Sequence, residues 1–347
     1  MCSSDLKGPD LPKRTRFVAL TAALVAVLAA AAPSAHAAKG PTITVMTRNL
    51  FLGADLIPLA TTPPGAQFEQ TATNMFNGVK AEDPNARMKL VVGEIAKAKP
   101  DLVGLQELSL WRTGSAPAST VAFDYIRTIT SQLKKLHQSY RVVAIKKGFN
   151  VEGPMDGGSD VRLTLGDAIL ARKGVKVKKA RSALFENQLT IPTQAIGNVT
   201  TNRGYNELDA TVHGVTVHVV NTHLEAYSAD VRLKQAQELV KGALRSKLPT
   251  ILIGDLNSGP KLPKPEDRPP YQAIAKAGFK EERTPKFSCC FNELTDKTGW
   301  DHNVDHIMAK PKLTLVRSFV TGSETTPAGV HPSDHGGVVS VLRLNKK

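Results

Sequence analysis

Cysteine is scarce in this 347-residue chain: only Cys2, Cys289 and Cys290 occur. Cys2 belongs to an N-terminal leader, so the one remaining pair, adjacent in sequence, excludes a conventional disulfide framework. In an oxidising compartment the two can close on each other or stay as thiols. A vicinal disulfide without a catalytic role is the expectation, and no zinc site is expected without further Cys. Aromatic residues make up 5% against an ordinary apolar share of 41%, which argues against a coiled coil or a low-complexity chain. Internal repeats are missing, and only short Pro/Gly-rich loops interrupt the sequence. One α/β domain over residues 38–347, long enough for a large core, is therefore expected.

Long apolar runs are also lacking, with one exception near the start. Phe17 to Ala32 is continuous and apolar but shorter than the about 20 residues that a membrane span requires. Lys13, Arg14 and Arg16 precede it, and Ala35-His36-Ala37 supplies a small-x-small cleavage pattern. Residues 1–37 are expected to be a signal peptide cut after Ala37, giving a secreted, soluble chain with no membrane span. Met1 to Leu6 is out of place before such a leader, and Met1 is not expected to be the natural start.

Negative charge is in deficit. Lys and Arg number 45 against 31 Asp and Glu, a net +14. The leader removes Lys7, Lys13, Arg14 and Arg16 but only Asp5 and Asp10, so the mature chain keeps +12. A cationic secreted protein is drawn to polyanions such as nucleic acid or phospholipid surfaces. Part of this charge has a plainer reading, because in Arg172 to Lys179 lysine alternates with valine as on a solvated edge strand.

What is present alternates between strands and helices. Thr42–Thr47, Asp101–Gln106, Ala168–Ala171, Leu208–Val212, Thr216–Asn221, Thr250–Ile253, Val304–Met308, Leu313–Val320 and Gly337–Leu342 read as strands. Apolar residues at helical spacing predict helices over Met88–Ala98, Val121–Leu136 and Asp230–Leu244. Hairpin-linked strands with helices interspersed suggest two mainly antiparallel sheets packed face to face, with helices outside.

Polar residues cluster at the ends of these strands. Glu107 follows an apolar strand, where a carboxylate without a partner is costly; a bound cation or a basic side chain would relieve it. Asp255 and Asn257 alternate with Leu256, so an extended segment would present both on one face, while Gly254 and Ser258-Gly259 also suit an Asx-type turn. His335 needs a carboxylate to fix its tautomer and stabilise its cation, and Asp305 is the candidate. His223 ends another strand and can bond a phosphate or protonate a leaving oxygen. Asp167 is a weaker candidate to orient His223. His306 should face away from Asp305 and be structural, and His302 and His331 have no clear role.

In order along the chain, Asn49, Leu-Gln-Glu107, Asn-Thr-His223, Gly-Asp255-Leu-Asn257, Val-Asp305-His and Ser-Asp334-His335 resemble the endonuclease/exonuclease/phosphatase superfamily. The resemblance spans roughly residues 41–344. It implies a four-layer α/β sandwich and metal-assisted hydrolysis of phosphate esters. It makes Glu107 the principal Mg²⁺ ligand (Mn²⁺ or Ca²⁺ being alternatives), Asn49 an amide neighbour of metal or phosphate, and Asp334 a residue beside the metal. It pairs Asp305 with His335 and matches Arg203 to a phosphate-binding arginine of deoxyribonuclease I. The implied reaction is in-line attack of water on a phosphodiester, without a covalent enzyme intermediate. Asp255 and the Asp305–His335 pair would prepare the water, and Asn49, Asn257 and His223 would stabilise the pentacovalent state.

Substrate choice in such a family rests on loops. The candidates are Leu50–Pro64, Leu108–Ser119, Lys147–Leu165 and Ser258–Pro270; Trp111 could stack on a base, insert into a membrane, or simply pack in the core. No exposed apolar hairpin is evident. The expectation is a secreted, monomeric, nuclease-like phosphodiesterase with no protein partner. The alternatives are a sphingomyelin or phospholipid phosphodiesterase, an inositol-type phosphatase, and a non-catalytic cationic polyanion-binding protein.

Overall fold

The structure, a computed structural model, describes residues 40–281, 287–310 and 313–344; the leader expected over residues 1–37 lies outside the described residues. The strand Thr250–Asp255 shows how the layers arise. Ile251 and Ile253 turn to one side and join Val217, Val219 and Ile43 in a core between two sheets, while Leu252 turns to the other and meets Ala236, Leu239 and Ile274. That period of two is the pleat of a strand buried on both faces. Ala236 and Leu239 come from the helix Ala229–Lys241 and Ile274 from Pro269–Lys276. Likewise Val45 faces inward, whereas Met46 faces a third core under the helices Ala66–Ala81, Pro84–Ala98 and Tyr125–Lys135. Three cores thus separate four layers. Each fully buried Val, Leu or Ile contributes roughly 1.5–3 kcal/mol, so the two sheets are held firmly against each other.

One sheet runs in the order Leu313–Thr321, Gly337–Leu344, Thr42–Asn49, Leu102–Gly114, Ser159–Arg172, Tyr140–Met155, with Thr120–Asp124 beside Leu102–Gly114. The other runs Lys280–Glu281, Asp305–Ala309, Thr250–Asp255, Val215–His223, Gly204–Val212, Lys176–Leu184. Both are mainly antiparallel, yet each holds one parallel pair: Thr42–Asn49 with Leu102–Gly114, and Val215–His223 with Thr250–Asp255. Helices cross over between the members of each pair, as parallel neighbours require.

Several elements differ from the sequence reading. The helix expected over Val121–Leu136 begins only at Tyr125, because Asp124 caps it by accepting from the Arg127 N–H; Thr120–Asp124 is a strand. Helix Ala66–Ala81 was not anticipated at all. The basic segment does form an exposed edge strand, and its Lys179 and Arg181 pair with Asp209 and Glu207. Among the described residues no helix is long and apolar enough to cross a membrane.

Candidate active site

Strand register brings the motifs together. His223 lies beside Asp255, and Asp255 beside Asp305, at the ends of three adjacent strands of one sheet. In the other sheet Asn49 is in register with Gln106, next to Glu107. Asn49 spans the gap: its Nδ2 lies 3.0 Å from Asp255 Oδ2 and 3.2 Å from Glu107 Oε1. Behind them the sheets are clasped, with Gln106 Nε2 donating to Asn221 Oδ1 at 2.7 Å. Gly104 makes room for that clasp, since a Cβ there would lie 2.3 Å from Asn221 Oδ1. Gln106 and Asn221 therefore serve the fold, although their motifs point into the cleft.

Glu107 is not at a strand end as the sequence suggested. Leu102–Gly114 continues past it, and the pairing with Ser159–Arg172 jumps from Leu105↔Ala168 to Leu108↔Gly166. At this bulge Glu107 takes a left-handed φ of 55°, which costs on the order of 1–3 kcal/mol in a non-glycine residue. The bulge turns the side chain toward Asn49 and toward the Leu52 N–H, 2.7 Å from Oε2. Its hydrogen-bond partners are thus an amide and a backbone N–H rather than a base. Burial first, and the neighbouring charge of Asp334 second, push the Glu107 carboxyl above its ordinary range.

His335 Nδ1 lies 3.0 Å from Asp305 Oδ2, the pairing expected from sequence. Ser288 Oγ donates to the same oxygen at 2.9 Å, while Asp305 Oδ1 is buried without a hydrogen-bond partner among the described residues. Burial alone would lower the His335 pKa, but Asp305, Asp334 and Asp255 outweigh it and hold the imidazole well above its ordinary value. Two arginines that the sequence reading passed over fix these loops. Arg48 donates to the carbonyls of His335 and Asn49 and pairs with Glu94 at 2.9 Å. Arg87 Nη2 donates to Leu50 O at 2.7 Å, and its Nε to Pro332 O at 3.2 Å. Ser333 Oγ donates to Asn49 O at 2.9 Å, tying the Ser-Asp-His segment to the first strand.

The second imidazole has the opposite surroundings. Arg203 Nη1 lies 2.7 Å from His223 Nδ1, which makes Nδ1 the acceptor and leaves the ring proton on Nε2. The Nε2 proton faces Asp255 Oδ2 at 3.4 Å, whereas Asn257 Nδ2, 3.1 Å from Nε2, is itself a donor and bonds Leu224 O at 3.1 Å. Burial, then the charges of Arg203, His335 and Lys146, hold His223 well below its ordinary value. Asp167 does not orient it: that carboxylate pairs with Lys146 at 3.1 Å, so Arg203 has the orienting role. Nor is Asp255-Leu-Asn257 extended. Asn257 has φ 46° and its N–H donates to Asp255 Oδ1 at 2.8 Å, so a turn, not alternation, brings both side chains to His223.

Other sequence candidates fall elsewhere. Trp111 is 1% exposed and donates to Leu52 O at 2.9 Å, so it packs in the core and neither stacks on a base nor enters a membrane. His306 is buried between Glu281 and Ser258 O, a structural role as expected. His331 stacks on Phe291, and His302 bonds its neighbour Asp301. Cys289 and Cys290 are joined, and their sulfurs lie against His335 Nε2.

The donor set suits a hard cation. Glu107 and Asp255 supply anionic oxygens on either side of an amide, with Asp334 near enough for its charge to act on Glu107, and burial raises the Glu107 carboxyl, a cost that a bound cation would offset. Beside these groups opens a cavity of about 60 Å³ whose polar lining includes Glu107, Lys146, Asp167, Arg203 and His223.

A family model described as Endonuclease/Exonuclease/phosphatase family matches residues 72–335. No curated protein matches the chain. Similar solved structures include an endonuclease/exonuclease/phosphatase family protein from Bacteroides thetaiotaomicron, with 16% identity, TM-score 0.55 and coverage of 89% of this chain and 100% of that one. Another, an endonuclease/exonuclease/phosphatase from Beutenbergia cavernae, has 20% identity, TM-score 0.54 and coverage of 88% and 72%. A third is D. rerio TDP2 complexed with single strand DNA product, with 17% identity, TM-score 0.53 and coverage of 87% and 99%.

Proposed function

Because the chain belongs to the endonuclease/exonuclease/phosphatase family, whose members are generally divalent-metal hydrolases of phosphoric esters, we propose that it is a Mg²⁺-dependent phosphodiesterase acting on nucleic acid. We propose further that it works outside the cytoplasm, after removal of the leader behind Ala37. The observation that carries the catalytic reading is the bridging of Glu107 and Asp255 by Asn49 Nδ2, with the charge of Asp334 acting on Glu107 and with two imidazoles beside them held in opposite directions from their ordinary pKa. Glu107, with Asn49 and Asp334 next to it, would hold the Mg²⁺, which supplies charge compensation for the phosphate and the leaving oxygen. The chain's own groups do the rest. Asp255 is fixed by Asn49 and the Asn257 N–H and orients the attacking water. Protonated His335, stabilised by Asp305, offsets negative charge on the phosphoryl oxygens. Neutral His223 keeps its Nε2 proton available for a hydrogen bond to the phosphate, and Asn257 Nδ2 lies beside it. Arg203 and Lys146 face the cavity and suit a phosphate.

The preference for nucleic acid draws on the +12 charge of the mature chain and on the DNA-bound structure of TDP2. One observation favours a second reading, an amphiphilic phosphodiester. An apolar cavity of about 80 Å³, lined by Ile57, Leu59, Val151, Ile191 and Ile196 among others, adjoins the catalytic cavity and shares Leu56, Phe149, Thr201 and Tyr227 with it. The deciding experiment is a panel of DNA, RNA, sphingomyelin and phosphoinositide, each with Mg²⁺ and with chelator. Nucleic-acid turnover that falls steeply with salt supports the first reading, since each phosphate contact releases counterions. Rapid cleavage of liposomal sphingomyelin with DNA and RNA untouched would replace it with the second, and full activity in chelator would remove both.

A further inference from the structure

The adjacent cysteines have no part in the hydrolysis proposed above, yet they sit on its central imidazole. Cys289 Sγ lies 3.8 Å and Cys290 Sγ 3.6 Å from His335 Nε2. We propose that reduction of the Cys289–Cys290 bond creates a site for a soft or borderline divalent metal, Zn²⁺ or Cd²⁺, held by both sulfurs and His335 Nε2, and that its occupancy switches off catalysis. The proposal uses the role given to His335 above, but its metal-binding part stands without it.

Three features support the site. The first is geometry: metal–sulfur and metal–nitrogen bonds of about 2.3 and 2.0 Å in a tetrahedral arrangement place sulfur and nitrogen about 3.5 Å apart, close to the separations seen. The second is the state of the imidazole. Nδ1 is engaged by Asp305, itself held by Ser288, so Nε2 is the nitrogen turned toward the sulfurs. A carboxylate behind a histidine ligand fixes its tautomer and raises its basicity. The third is rigidity. Cys289 exchanges backbone hydrogen bonds with His302; on either side Ser288 O accepts from Gly336 N, and Phe291 N donates to Asp334 O. The segment is thus stitched to the His335 loop through its backbone, independently of the sulfur–sulfur bond.

Donor softness separates this site from the oxygen cluster. Thiolate and imidazole select Zn²⁺ and its heavier relatives, whereas Glu107, Asp334 and Asn49 offer only oxygen and amide groups suited to Mg²⁺. Asp255 Oδ2 and Asp334 Oδ1, each 3.9 Å from Nε2, stand where a fourth ligand or its bound water would be. Reduction by an external dithiol breaks the sulfur–sulfur bond and delivers two electrons and two protons to the cysteines, while the dithiol closes to its own disulfide. Metal binding then displaces the two thiol protons and the Nε2 proton of the charged imidazole, three protons in all, and takes up the Nε2 lone pair so freed.

The test uses the full chain reduced with a dithiol, freed of it under anaerobic conditions, and titrated with Cd²⁺ in excess Mg²⁺. The expected result is one Cd²⁺ per chain with a sulfur-to-metal charge-transfer band in the reduced protein, and no band in the oxidised protein. Cys290→Ser should lose the band while keeping Mg²⁺-dependent turnover. Wild-type protein with both thiols methylated gives the same comparison should that variant fold poorly. Asp305→Asn should weaken Cd²⁺ binding by about 10–100-fold, as loss of a carboxylate behind a metal-bound histidine does. Hydrolysis should stop on addition of Cd²⁺ only in the reduced wild type. Equal Cd²⁺ binding by the oxidised and reduced forms would overturn the site, as would a band unchanged in Cys290→Ser. The band is read without substrate, so a protein that hydrolyses nothing on the panel still decides the metal site on its own.

Discussion

The cleft has two halves of opposite character. Around His335 stand Asp305, Asp334 and Asp255, and the imidazole is held well above its ordinary pKa. Around His223 stand Arg203 and Lys146, and with burial they hold that imidazole well below it. Both rings are nearly inaccessible and both sit within 4 Å of the same Asp255 Oδ2. Residue type and depth are shared, so the flanking charges separate them: carboxylates favour the cation, bases the neutral ring. Two titratable groups driven apart in this way divide the work of handling charge and proton in one site. Breaking either half should therefore have distinct consequences.

The largest effect is expected at the carboxylate half. Glu107→Gln removes the main charge available to a cation, and metal-dependent hydrolysis should be lost. Thermal stability should hold or rise, because a buried carboxylate repelled by Asp334 becomes a neutral amide. Initial rates across a Mg²⁺ titration, with melting temperatures in chelator, check both. A Glu107→Gln enzyme at wild-type rate would sink the assignment.

Next comes the Asp305–His335 pair. His335→Ala and Asp305→Ala should each cost on the order of 10²–10⁴ in rate. The double variant should cost little more, since groups acting as one unit are strongly non-additive. Clean additivity on an activated phosphodiester, with folding intact, would separate the two residues.

These two expectations also mark how far the sequence could be read. His223, Asp255 and Asp305 lie at the ends of strands of one sheet, so strand ends and motif order pointed to them. The other sheet's contribution was less legible. Glu107 reaches the cleft through a bulge and a left-handed backbone, and Asn257 through an Asx turn at positive φ; neither leaves a periodic signature. Supporting residues were least visible. Arg48, Arg87 and Ser288 act through partners distant in sequence, and an isolated arginine or serine looks the same in a sequence whether it braces a loop or faces water. Asp167 was misjudged for the same reason: Lys146, its partner, lies on a neighbouring strand.

A smaller effect should follow from neutralising the basic half. Arg203→Met removes both a charge and the donor to His223 Nδ1, so the His223 pKa should rise while that of His335 barely moves. Ring-proton chemical shifts followed against pH in chelator measure both. If the His223 pKa stayed put, burial alone would set it, and the comparison between the halves would lose its electrostatic basis.

The smallest effect expected is on stability, and its sign differs between the two rings. In metal-free protein His335 has a folded pKa above 6.5, the ordinary value, so between the two values the native state binds more protons than the unfolded chain. Its contribution is complete below about 6.5 and is lost as pH rises toward the folded value. His223 has a folded pKa below 6.5, so there the unfolded chain binds more protons, and stability is lost as pH falls through that lower window. Urea midpoints measured across pH in chelator should thus decline on both sides of near-neutral pH. His335→Gln should flatten the alkaline limb most and the acid limb to a lesser degree, since the His335 charge also lowers the His223 pKa, whereas His223→Gln should flatten the acid limb and leave the alkaline one. Groups remote from the cleft titrate in both limbs, but they are common to all three proteins and cancel in the differences. Identical changes in the two variants would mean that the rings share one environment, and the division of the cleft into opposite halves would fail.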